Sequence, residues 1–194
     1  MAAPVKRMPR RHPYRVLVAA VLSTRTQDPV TTAASRRLFR VAPNPLALSR
    51  LRPERIRRLV YPVGFYRTKA RILPRLGRML LERWGGRVPA TLPELLSLPG
   101  VGRKVANIVI TQAFGQPAIA VDTHVQRVSN RLGLVRTRRP EQTESALTQL
   151  LPRRLWAEWN PLLVALGQTS CRPIRPLCPT CPVRRWCMRR GVNP

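Results

Sequence analysis

The chain has 194 residues, 44% of them hydrophobic, which is enough for one substantial core or two small ones and excludes a disordered basic tail. Its 36 Arg and Lys against 8 Asp and Glu give a formal charge of +28. That excess repels itself on a compact surface unless a polyanion is a regular partner, so nucleic acid is favoured over a simple compositional drift toward Arg. Only Lys6, Lys69 and Lys104 among the 36 are lysines, and Asp28 and Asp122 are the only aspartates. Where Arg is used so freely, a retained lysine draws attention, because guanidinium stays protonated and cannot act as an amine nucleophile.

In chain order, Met1–Arg15 is basic and Val16–Leu22 apolar, a pattern superficially like a secretory signal. The apolar run is short and no small-residue cleavage site follows, so a buried helix over Tyr14–Leu22 is expected in an intracellular protein without a membrane span. Four cysteines in that setting read as metal ligands sooner than as disulfides. Asp28-Pro29 predicts an N-cap and first turn for a helix to about Val41, with short helices over Leu46–Ser49 and Glu54–Val60. Arg67–Trp84 carries Ile72, Leu73, Leu76, Leu80 and Trp84 at helical spacing, with Pro74 inside it and Gly85-Gly86 after it. Leu92–Leu98 and Arg103–Ala113 form a helical pair around Pro99-Gly100-Val101-Gly102. Helices follow over Thr123–Leu132, Pro140–Leu151 and Leu155–Leu166. Strand patterns are nearly absent, so the expected class is all-α.

Three motifs carry chemistry. Two glycines one residue apart in Gly100-Val101-Gly102 allow a sharp turn with amides facing outward, and the positive end of the next helix makes that turn an anion site. This is a helix–hairpin–helix arrangement that grips a DNA phosphate without reading sequence; an ordinary helical turn is the alternative. Lys104 and Arg103 sit in the first turn after it. The dipole and neighbouring arginines make the Lys104 amine easier to deprotonate, which suits Schiff-base formation; a simple phosphate contact is the alternative. Asp122 stands between an apolar stretch and a helix start, where capping and catalysis are both open to it, and His124 reads as structural. Cys171, Cys178, Cys181 and Cys187 form C-x6-C-x2-C-x5-C. Zinc sites usually pair two short hooks and this spacing has one, which favours a [4Fe–4S] cluster. Arg172, Arg175, Arg184 and Arg185 make the cysteine loop a basic projection, suited to DNA.

Together these residues resemble the endonuclease III family of helix–hairpin–helix DNA glycosylases. The resemblance runs from about Tyr14 to Cys187 and includes Val21-Leu22-Ser23 with Asp28, Gly64-Phe65-Tyr66 with Lys69-Ala70, Leu98–Lys104, Val121–His124 and the cysteines. It implies a six-helix barrel domain over residues 6–116 and an iron–sulfur cluster domain over 117–194 with residues 1–5, with a DNA cleft between them. It implies a base-excision enzyme that removes damaged, oxidised pyrimidines from double-stranded DNA and nicks abasic sites by β-elimination. Lys104 is then the nucleophile and Asp122 the essential carboxylate. A monofunctional glycosylase and a non-catalytic DNA-binding protein of the same fold stay open as alternatives. DNA contacts are expected from Arg25, Phe65, Gly100, Val101, Gly102, Arg103, Arg172 and Arg175, in a monomer associated with the nucleoid. The family usually has Gln at the gap-filling position of Arg25, a smaller aliphatic wedge at that of Phe65, and an earlier N-terminal helix.

Overall fold

The structure is a computed structural model that describes residues 12–192. Among the described residues there are ten α-helices, short 3-10 turns and no strand, the all-α class that the sequence predicts. They are α1 (Pro13–Ser23), α2 (Asp28–Val41), α3 (Pro45–Ser49), α4 (Pro53–Val60), α5 (Tyr66–Trp84), α6 (Leu92–Leu96), α7 (Arg103–Phe114), α8 (Thr123–Leu132), α9 (Pro140–Leu150) and α10 (Trp156–Thr169). A chain with 21 prolines stays helical because α1, α2, α3, α4, α6 and α9 each carry Pro in the first turn, where the missing N–H has no intrahelical partner to lose.

Some local expectations need correction. Asp28 is not the cap of α2: Gln27 holds that position and makes no side-chain cap bond. Pro29 is tolerated one residue inside the helix, so α2 begins earlier and Asp28 instead complements its dipole from the first turn. Helix α5 runs through Pro74, which is buried. Helix α6 stops at Leu96, two residues short of the expected end, and α10 continues to Thr169. Among the described residues no helix is long and apolar enough to cross a membrane.

The chain divides into two compact units, one ending at Gln116 and one beginning at Pro117. Residues 1–5, expected in the cluster domain, and residues 6–11 of the expected barrel domain lie outside the described residues. In the first unit α1 packs on α7 and α2, and α5 packs on α3 and α4. Leu17, Leu22, Leu73, Leu76, Leu80 and Leu95 are fully buried there, each worth about 1.5–3 kcal/mol over an exposed side chain. In the second unit α8 packs on α10, and Val125 and Val128 of α8 join Ile119, Val121, Val135, Leu147 and Leu163 in one core. The 3.6-residue repeat that turns those valines inward leaves Arg127 and Arg131 on another face of α8.

Candidate active site

Helices α6 and α7 with the turn between them form the hairpin. Leu98 and Val101 are buried and anchor the turn from beneath, while Gly100, Gly102 and Arg103 are exposed above it. The two glycines differ. Gly100 has φ +79°, and a Cβ there would lie 2.8 Å from Ile72 Cγ2, so the turn itself requires glycine. Gly102 caps α7 with φ −97°, and a Cβ there would meet no atom within 4 Å. Nothing in the protein demands glycine at 102, so its bareness suits close approach of something outside. Lys104 is half-buried in the first turn of α7, with Arg103 exposed beside it.

In the second unit Asp122 is the N-cap of α8. Its Oδ1 accepts the amides of His124 and Val125, both at 2.9 Å. Both bonds fall on one oxygen of a half-buried carboxylate, so the capping role weighed in the sequence is formed here by Oδ1.

Back in the first unit, the structure brings Arg25 and Phe65 together. Both are exposed, with the Arg25 guanidinium 5.3 Å from the Phe65 ring centroid. Both are held in the left-handed region, at φ +51° and +56°, where a non-glycine residue costs on the order of 1 kcal/mol or more. Beneath them lies Lys69, 5% exposed, a residue the sequence marked by its rarity and as part of the family resemblance, without a role. Its Nζ donates to Leu22 O at 2.8 Å, Thr24 O at 2.7 Å and Thr26 Oγ1 at 3.4 Å. Burial pushes the Lys69 amine down to about 8.

Cys171, Cys178, Cys181 and Cys187 are half-buried free thiols on a loop with only two short 3-10 turns, Cys178–Thr180 and Arg184–Trp186. All four line one pocket, floored by Val128, Leu132 and Leu166. Helix α8 ties this loop down through two arginines that sequence reasoning passed over. Arg127 donates to Cys171 O and Gly167 O, and Arg131 to Arg172 O, Pro173 O and, at 3.6 Å, Cys171 Sγ. Part of the cationic surplus therefore holds the fold. Arg172 and Arg175 are exposed on the loop, and Arg172 Nε also donates to Thr169 O. Among the described residues no three His, Cys, Asp or Glu side chains converge closely enough to hold a single metal ion.

The chain matches the family described as HhH-GPD superfamily base excision DNA repair protein over residues 18–153. Endonuclease III of Thermotoga maritima is 50% identical to it, over 96% of this chain and 91% of that protein. The chain belongs to the endonuclease III family. As a member it is a base-excision DNA repair enzyme, a DNA glycosylase with AP-lyase activity. Endonuclease III homolog 1, chloroplastic, of Arabidopsis thaliana is 42% identical over 92% of this chain, which spans only 50% of that longer protein. A solved structure of a trapped endonuclease III–DNA covalent intermediate, an estranged-adenine complex, matches with a TM-score of 0.88 at 36% identity, covering 95% of this chain and 87% of that one.

Proposed function

We propose that this enzyme excises oxidised pyrimidines from duplex DNA and nicks the resulting abasic strand, with Lys104 as nucleophile and Asp122 as the essential carboxylate. The observation that carries this reading is Lys104 in the first turn of α7, directly after the exposed hairpin, in a chain that uses lysine only three times. The hairpin from Gly100 to Arg103 and the loop arginines Arg172 and Arg175 grip phosphates, supported by the bare Cα of Gly102. Arg25 and Phe65 fill the gap left by the flipped base, whose unstacking costs about a few kcal/mol. A protein of charge +28 that binds duplex DNA without sequence preference resides with its cell's bulk DNA, in the nucleoid.

The chemistry balances as follows. Neutral Lys104 Nζ bonds to the sugar C1′ while the glycosidic bond breaks and its electron pair leaves with the base, which takes up a proton. The ring oxygen leaves C1′ and the nitrogen gives up its extra proton, so a Schiff base forms with the opened sugar. Loss of a C2′ proton expels the 3′-phosphate, and hydrolysis of the imine returns Lys104. Asp122, with Oδ1 engaged in the cap, offers the charge of its carboxylate to the cationic state at C1′.

Cys171, Cys178, Cys181 and Cys187 would hold a [4Fe–4S] cluster. All four thiols line one pocket, as ligands of a single inorganic core must, and their one short C-x2-C hook suits a cluster better than zinc. The N–H of Arg189, 3.3 Å from Cys187 Sγ, and Arg131 beside Cys171 are donors of the kind that stabilise cluster thiolates. The cluster's contribution is to cross-link a proline-rich loop that has little regular structure.

Borohydride trapping on abasic DNA tests the reading. The parent protein is expected to give a covalent adduct, and Lys104→Ala none, although that variant still binds the duplex through the untouched hairpin. An adduct of undiminished yield from Lys104→Ala would overturn the assignment.

A further inference from the structure

Arg25 and Phe65 lie on separate loops of the first unit, yet one buried side chain serves both. Lys69 belongs to the first turn of α5, where its own N–H donates to Phe65 O at 3.0 Å. Its ammonium reaches across to the end of α1. There Ser23 and Thr24 hydroxyls satisfy Ala20 O and Val21 O, and Lys69 Nζ takes Leu22 O and Thr24 O. A cation at this helix end faces the negative pole of the dipole. Thr26 Oγ1 completes the set, lying 3.4 Å from Lys69 Nζ, donating to Thr24 O and accepting the Gly64 amide at 3.1 Å. A Cβ on Gly64 would come within 2.2 Å of Arg25 O, so the two loops are in direct backbone contact.

We infer that Lys69 is the positioning residue that presents Arg25 and Phe65 to the duplex as one preformed unit. This rests on the reading of those two residues as the ones that enter DNA. Three oxygens lie within reach of Nζ, which the three donors of one compact ammonium can meet, whereas a guanidinium spreads its donors over a wider planar fork. That accounts for a lysine here in a chain that otherwise uses arginine. The left-handed backbone at Arg25 and at Phe65 is sparsely populated in isolation and persists because the Lys69 network over-determines it. The stacked pair is therefore set before DNA arrives, so that its ordering is not charged against binding.

The test compares two rates in each variant: single-turnover excision of a damaged base paired in a duplex, which needs the gap filled, and nicking of a preformed abasic site, which needs Lys104. Lys69→Met and Lys69→Arg are both expected to lower the ratio of the first to the second roughly tenfold or more, since misplacement of about 1 Å can cost up to about a hundredfold. Thr26→Val removes the hydroxyl shared by Lys69 and Gly64 and should lower the ratio in the same sense. It decides the matter should the lysine variants fail to fold. Excision from single-stranded DNA, where no gap opens, should recover most of the loss. A ratio that stays at the parent value, or two rates that fall in parallel, overturns the inference. Phe65→Ala is the control for the underlying reading: if it lowers the ratio while the Lys69 and Thr26 variants do not, only the positioning role fails. If Phe65→Ala also leaves the ratio unchanged, the wedge reading fails with it.

Discussion

Asp122 Oδ1 accepts the His124 amide at 2.9 Å, and the same oxygen accepts the Val125 amide at the same distance. One atom of the carboxylate thus completes the first turn of α8. Asparagine presents an equivalent carbonyl oxygen and ranks with aspartate as a cap. Asp122→Asn is therefore expected to lose less than about 1 kcal/mol of stability. Its excision rate should fall by about 10²–10³-fold, the scale of removing one preorganised charge-stabilising group. DNA affinity should be equal or higher, because a negative charge is gone from the neighbourhood of phosphates. Melting temperature, affinity and single-turnover rate on one damaged duplex check this. Stability lost in step with activity would reduce Asp122 to a cap.

The two hairpin glycines should fail in different assays. Gly100→Ala places a side chain at φ +79° and against Ile72, so it should destabilise the protein by about 1–3 kcal/mol. Gly102→Thr keeps a comparable cap and meets open space, so its melting temperature should stay near the parent's. Its affinity should drop for every duplex alike, because the added methyl stands between phosphate and backbone. Thermal melts and binding isotherms on unrelated sequences separate the two. A Gly102→Thr loss confined to one sequence context would contradict phosphate recognition.

Metal content tests the cysteine centre. Anaerobically purified protein is expected to be yellow-brown and to carry four irons per chain. Cys181→Ser should yield poorly soluble protein, since the loop between Cys171 and Cys187 has only two short 3-10 turns to order it otherwise. Metal analysis that returned one zinc per chain in the parent would rule out the cluster.

Arg25 is exposed with its guanidinium over the Phe65 ring, in the part proposed to fill the gap, whereas the covalent chemistry is proposed for Lys104. Arg25→Gln exchanges a donor-only fork for a group that both donates and accepts, and removes a stacking contact worth about 0.5–1 kcal/mol. The variant should shift the preference for the base opposite the lesion while changing abasic-site nicking much less. Excision profiles across all four opposite bases measure the shift, and superimposable profiles would make the loop a spacer.

Much of this protein is legible without coordinates because its signals are local. A proline in the first turn marks the start of six helices and a glycine after the last turn marks the end of three others, and the hairpin places Lys104 by its position one residue into α7. The three-residue spacing of the core valines in α8 and the crowding of four cysteines into seventeen residues are likewise contained in single segments. Even the capping role of Asp122 is readable from its place before a helix. The sequence could mark Lys69 by its scarcity but could not say what it holds. Its acceptors lie 43 to 47 residues earlier, and only the packing of α5 beside α1 brings them within hydrogen-bond reach. The same holds for Arg127 and Arg131, whose partners on α10 and the cysteine loop stand 40 or more residues away and are met only because α8 packs on α10. Backbone propensity, caps and breakers act over a few residues, so they are written where they act. A buried ammonium or guanidinium finds its carbonyls by three-dimensional convergence, and no periodicity along the chain records that.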